Sequence, residues 1–312
     1  MKTKKFFIFF TLSSILCFSQ TDSIKLKKEP RFKIAATVLR NSILAVPSDF
    51  TEMGHTLSKD WERTAIYAGG IVGLITTDKI TTSFLHDQVE PAIDYSLPKI
   101  DVIKTRVYFL DGNNAYILYP ILGLYAGSFA INYPKGQIVA VNAIKSITYS
   151  YVISHLALKT VFARNRPQRS LSDNKTVEAP WTKDNWDFGN YHPIYFKASD
   201  DGTSFPSFHA TFYFSVAKVF QMEYNNYWIP YTIATGVFLA DLKDHNHWVS
   251  ELLIGGLIGT IIGKSVVNSS RKQIEKDKNT ALNLNPRRFR MSKQLIPQIS
   301  SSMIGLHFVG NF

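Results

Sequence analysis

The apolar residues of this chain fall into helix-length blocks separated by polar or proline-bearing breaks, a pattern that points to a bundle of helices. Residues 31–46 carry apolar positions at helical spacing. Residues 61–77 form an apolar block with Gly69, Gly70 and Gly73, small residues that let helices approach closely. Residues 115–132 make the longest uncharged apolar stretch. Residues 137–163 continue helically into Arg164-Asn165-Arg166-Pro167, where the proline ends or redirects the helix. A long polar loop, 168–203, carries Trp181, Trp186, Tyr191 and Tyr195, which either cover a site or pin the loop to the bundle. Residues 207–222, 227–242 and 247–267 predict three more helices. Residues 294–312 change character: partial period-two alternation predicts one or two short strands, with a hairpin turning near Ser301-Ser302. The expected fold class is all-α, a multi-helix bundle with a short C-terminal β segment.

The N-terminus reads as an export signal. Lys2, Lys4 and Lys5 precede the apolar run Phe6 to Phe18, and Ser19-Gln20-Thr21-Asp22 forms a polar cleavage zone. An uncleaved anchor is the competing reading. The single cysteine, Cys17, lies inside this segment, so the mature chain would have no disulfide, no thiolate chemistry and no cysteine zinc site. The expected location is the bacterial periplasm or a membrane. The net charge is +11, and between 264 and 293 nine lysines and arginines face only Glu275 and Asp277. That tail fits attraction to an anionic membrane surface, and it fits a solvated helix end equally well. No nucleic-acid-binding motif is present. Only 115–132 approaches the length of a membrane span, about 20 residues, so a membrane-associated bundle is expected, with a soluble periplasmic bundle as the alternative. The boundaries read from sequence are a signal at 1–20, an N-terminal helical segment at 21–60, the bundle at 61–268, a basic linker at 269–293 and the β segment at 294–312. Oligomeric state is not legible.

Three stretches carry the chemistry. In the first, Lys159 and Arg166 stand two helical turns apart, and together supply a point charge and a planar fork for phosphoryl oxygens. Arg164 falls on another helical face and reads as a supporting or surface group. The second, Ser204-Phe205-Pro206-Ser207-Phe208-His209, lies where a loop becomes a helix, a natural anion site. Ser207 caps that helix or donates to phosphate, and His209 can serve as a general acid. The third runs from Asp244 to Glu251. His247 and Glu251 stand at i, i+4, so the carboxylate can fix the imidazole tautomer and leave the other nitrogen to attack phosphorus. Such a pair is also common helix decoration. Asp244, His245 and His247 do not have metal-ligand spacing, and no metal is expected.

Taken together, these stretches resemble the type-2 phosphatidic acid phosphatase / vanadium haloperoxidase superfamily, with its pattern K-x6-R-P, P-S-G-H and S-R-x5-H-x3-D. The resemblance covers roughly residues 60–268. It implies a helical core of about six helices and a metal-free phosphatase of lipid-linked or small phosphoesters. His247 would form a phosphohistidine, His209 would protonate the leaving group, and Glu251 would orient His247. Lys159, Arg166, Ser207 and the backbone of Phe208 would hold the phosphoryl oxygens. No cofactor is implied, and vanadate would act as an inhibitor or, in a haloperoxidase, as the cofactor. Three positions depart from the pattern. Phe208 stands for the second motif's glycine, which puts a large side chain beside the oxyanion site. Ala240-Asp241 stands for Ser-Arg, which puts repulsion where phosphate is attracted, with Lys243 two residues on as a compensating cation. Glu251 stands for aspartate. A catalytically weakened member that binds phosphorylated lipid, and a vanadium haloperoxidase, are the alternatives.

Overall fold

The computed structural model describes residues 30–98, 100, 112–171, 177, 180–194, 201–242 and 247–284, with the strand backbones 292–300 and 303–311. The export signal expected at 1–20 therefore lies outside the described residues, as do Lys243, Asp244 and His245. Helix α1 spans Arg31–Leu44 and α2 Val46–Ser58, with a break at Ala45 where the sequence predicts one helix over 31–46. Pro30 precedes the first and Pro47 lies in the first turn of the second, where a missing N–H costs nothing. Helix α3, Trp61–Phe84, starts at Asp60, whose side chain accepts from the Glu62 N–H, and runs into a π-helical turn at Leu85–Val89. A 3₁₀ turn, Gly112–Asn114, leads into α4, Ala115–Ala130.

The segment 137–163 is not one regular helix. It divides into α5, Pro134–Ser150, a π-helical stretch at Tyr151–Leu158, and α6, Lys159–Phe162. Ala163 ends it in the left-handed region (φ 44°), its N–H donating to the Lys159 carbonyl. Two short parallel strands, β1 at Arg166–Pro167 and β2 at Trp181–Thr182, tie the long loop to the site. Helices α7, Phe208–Tyr224, and α8, Trp228–Leu242, match the predicted spans closely. Helix α9, Val249–Leu284, runs well past the expected end at 267, so residues 269–284 of the expected basic linker are helix. Strands β3, Ser292–Ser300, and β4, Met303–Asn311, pair antiparallel as a hairpin. The fold is all-α apart from these strands.

The main core lies between α4, α5, α7 and α8, with Ile121, Val139, Ile147, Phe212, Val219 and Val237 among its members. The opposite side of α7 meets α9 almost backbone to backbone. A Cβ at Gly255, Gly259 or Gly263 would stand 2.6, 2.2 and 2.4 Å from the carbonyl oxygens of Ser207, Thr211 and Ser215. Both rows step by four residues, so this face of α9 accepts only glycine. Short hydroxyls line the contact of α7 with α5 and the π-helical stretch after it: Ser215 Oγ lies 3.1 Å from Ser150 Oγ, and Thr211 Oγ1 lies 3.3 Å from Ser154 Oγ. Among the described residues one helix is long and apolar enough to cross a membrane. It is the 249–279 part of α9, half of whose apolar window is buried in the bundle, and not 115–132.

Candidate active site

The site assembles at the N-terminal ends of α7 and α9, where the positive ends of the two helix dipoles lie. His247 sits just ahead of α9 rather than within it, so its contact with Glu251 comes from the helix start and not from helical spacing. Glu251 Oε2 lies 2.7 Å from His247 Nδ1 and accepts the Trp248 N–H at 3.2 Å, the reach-back of a capping box. The same oxygen accepts the Ser204 hydroxyl at 2.6 Å, while Oε1 accepts from Arg164 Nη1 at 3.1 Å. With Glu251 on Nδ1, the nitrogen that can reach a phosphorus is Nε2.

Arg164 is fully buried, not on the surface. Its Nη2 donates to Asp78 Oδ2 at 2.8 Å and to the Asn185 carbonyl at 2.6 Å, and Nη1 reaches Ser250 Oγ at 3.1 Å. The guanidinium lies 5.0 Å from the Phe188 ring centroid and 4.9 Å from that of Trp248. Asp78 also accepts the Ser250 N–H at 2.8 Å and its hydroxyl at 2.5 Å. Two buried carboxylates thus share one arginine, and Glu251 is fixed from behind. Burial pushes the Glu251 carboxyl up, while Arg164, the Ser204 hydroxyl, Arg166 and Lys159 pull it back. That pull also puts Arg166 and Lys159 within electrostatic reach of Glu251. Both are buried, Lys159 at the start of α6 and Arg166 on β1.

Ser207 is the N-cap of α7, its hydroxyl accepting from the Ala210 N–H, and its own N–H donates to the Glu251 carbonyl at 3.2 Å, locking the two helix starts together. Phe208 packs edge-on against the His209 ring at 5.4 Å and also turns into the core. Its ring is fully buried, edge-on to His155 (5.8 Å, 67°) and Tyr151 (6.0 Å, 82°), which stack on each other at 5.0 Å. Both partners come from the π-helical stretch, a widened turn of the kind that recurs at functional sites. The large side chain thus stays beside the site, at His209, while its ring also fills core space.

His209, in the first turn of α7, faces Asp241 at the end of α8, with Nδ1 3.6 Å from Oδ2. Asp241 Oδ1 accepts from Asn113 Nδ2 at 3.2 Å, and the Tyr213 hydroxyl lies 3.3 Å from Oδ2. The Asp241 carboxylate, expected to repel phosphate, is turned to a histidine of the site. Among the described residues no group of three or more histidines and carboxylates is placed to hold a metal ion.

The loop is pinned at its middle by Phe188, which packs edge-on against Phe162 and Phe205. Trp186 leans on Phe188, whereas Trp181 lines a cavity of about 490 Å³ with Asn165, Lys183 and Asp187, beside the strand that carries Arg166. The sequence reading named no role for Asp78, Ser204 or Ser250. A lone aspartate inside the apolar α3 was a usable signal, since such a residue is buried only with a partner.

Residues 139–275 match the model of the PAP2 superfamily. No curated protein and no solved structure matches the chain. The matched span holds Lys159, Arg166, Ser207, His209, His247 and Glu251, while Asp78 lies ahead of it. The match over residues 139–275, together with the all-α bundle, supports the resemblance to the type-2 phosphatidic acid phosphatase / haloperoxidase superfamily.

Proposed function

We propose that the chain is an exported, membrane-associated phosphatase that releases phosphate from a lipid-linked phosphoester through a phosphohistidine on His247. In the first half-reaction His247 Nε2 attacks phosphorus, the bond from phosphorus to the leaving oxygen breaks, and His209 gives that oxygen a proton. In the second, water attacks the phosphohistidine, His209 takes the water's proton, and inorganic phosphate leaves with His247 restored. Lys159, Arg166, the Ser207 hydroxyl and the N–H groups opening α7 carry the equatorial oxygens as charge builds on them. The observation that carries this reading is the buried 2.7 Å contact from Glu251 to His247 Nδ1, backed by Arg164. It fixes the tautomer a histidine nucleophile needs. The exposed apolar residues Trp61, Ile66 and Ile80 on α3 and the excess of lysine and arginine between 264 and 293 support a lipid surface as the place of work.

The test is phosphate release from a panel of lipid phosphates and pyrophosphates in chelator, with and without vanadate. Vanadate-sensitive release that disappears in His247→Ala is expected. Full activity in that variant would overturn the reading. Bromide oxidation with vanadate and peroxide, without phosphate release, would move the protein to the haloperoxidase branch.

A further inference from the structure

We propose that Asp241 is a positioning residue for His209: it holds that imidazole as the charged proton donor, at the position where the resemblance places an arginine. This rests on the phosphohistidine reading. The geometry is specific. His209 and Asp241 are both buried, and Nδ1 to Oδ2 is 3.6 Å, longer than a hydrogen bond but short for a charge pair shielded from water. The carboxylate does not rotate freely, because Asn113 Nδ2 holds Oδ1 and the Tyr213 hydroxyl lies by Oδ2. Tyr213 is itself 3.0 Å from Asn114 Oδ1, so the 3₁₀ turn at 112–114 braces the pair from two sides.

The surroundings explain why a carboxylate is useful there. Among the described residues, the other ionisable side chains of the site are Lys159 and Arg166, from α6 and β1, and His247, ahead of α9. A positive charge on any of them disfavours a further one on His209. From α7 itself come Phe208 and Tyr213, from the 3₁₀ turn come Asn113 and Asn114, and His155 meets the ring of Phe208; none of these supplies a negative charge. The Glu251 carboxylate is taken by Arg164. Asp241 balances the cationic cradle at His209, and because it sits on Nδ1, the donor to the leaving oxygen is Nε2. An opposite charge within about 4–6 Å typically moves a titration by about 1–3 pH units.

Two substrates separate this role from a structural one. An alkyl phosphate has a poor leaving group and needs a general acid, whereas p-nitrophenyl phosphate does not. In Asp241→Asn, kcat for the alkyl ester should fall by about 10²-fold or more, with the alkaline limb of its pH profile moved down by about one unit. Turnover of the nitrophenyl ester should fall by less than about 10-fold, since it draws little on the general acid. Asp241→Arg should also lose alkyl-phosphatase activity. Equal losses on both esters, or a gain of activity in Asp241→Arg, would overturn the proposal. The imidazole titration of His209, followed by ¹⁵N NMR in the full chain, reads the pair without turnover. The wild-type midpoint should lie above that of Asp241→Asn, and equal midpoints would overturn the proposal. If the wild type hydrolyses neither ester while His209 still titrates high, the phosphatase reading fails and the pairing stands.

Discussion

A lysine at position 164 would keep the charge and lose the geometry. Arg164 divides its guanidinium between Asp78, Glu251, Ser250 and the Asn185 carbonyl, a set that a single ammonium cannot span. Arg164→Lys should therefore cost about 3–5 kcal/mol in denaturant unfolding, as a broken buried pair does. It should also lower kcat far more than it raises KM, because Glu251 would no longer be held against His247. An unchanged kcat would show that Glu251 needs no backing. Counting helical faces from Lys159 could not find this residue, since the helix stops at Phe162 and Ala163 turns left-handed. Phe208 is the converse case. The motif comparison marks it as an intruder, yet its ring fills core space beside Tyr151 and His155. Phe208→Gly should cost at least about 3 kcal/mol through the cavity it leaves and bring no gain in turnover, as unfolding curves and kinetics on the same preparation would show.

At the scale of elements, the packing of α7 on α9 decides whether the catalytic groups meet. The glycine at 259 faces the Thr211 carbonyl so closely that even alanine must push the helices apart, because a Cβ would stand 2.2 Å from that oxygen. Ser207 and His209 begin one of these helices and Glu251 the other. Gly259→Ala should thus lower both melting temperature and kcat. Gly256→Ala, whose Cβ would meet only the Phe214 ring at 3.6 Å, should be tolerated or stabilise by about 0.5–1 kcal/mol through helix propensity. Comparing the two by thermal melts and activity separates close packing from a general effect of alanine. The sequence shows that α9 is glycine-rich but not which glycines face a neighbour. The π-helical stretch is hidden for a similar reason: its composition reads as helix, and only packing against Phe208 shows the widened turn.

The molecule as a whole is pinned far from the catalytic groups by a second buried ion pair. Asp49 on α2 lies 2.7 Å from Lys145 Nζ on α5 and accepts the Tyr149 hydroxyl at 2.7 Å. Lys145 also donates to the Ser42 carbonyl of α1, so three helices meet at one carboxylate. Burial pushes the Asp49 carboxyl up, and Lys145 and Tyr149 pull it back. Asp49→Asn should cost about 3–5 kcal/mol by stranding Lys145, and adding Lys145→Met should recover much of that loss. Chemical denaturation of the single and double variants tests this, and additive losses would count against the pair. Kinetic parameters at permissive temperature should be unchanged, since neither side chain touches the site.

The sequence by itself determined the helical character of the chain, the spans of α7 and α8, and the positions of the two histidines, the two cations and Glu251. Each of these rests on local information: apolar period, a proline stop, a helix cap, or the spacing within a motif. Tertiary structure alone decided that Arg164 is buried, that Asp78 joins the site from a helix ahead of the matched span, that Phe208 turns into the core and that Asp241 faces His209. Those outcomes depend on contacts between residues 28 to 172 positions apart, such as Tyr213 with Asp241 and Asp78 with Ser250. No local pattern encodes them, because a side chain's charge is written in the sequence but the neighbour that receives it is set by how the helices pack.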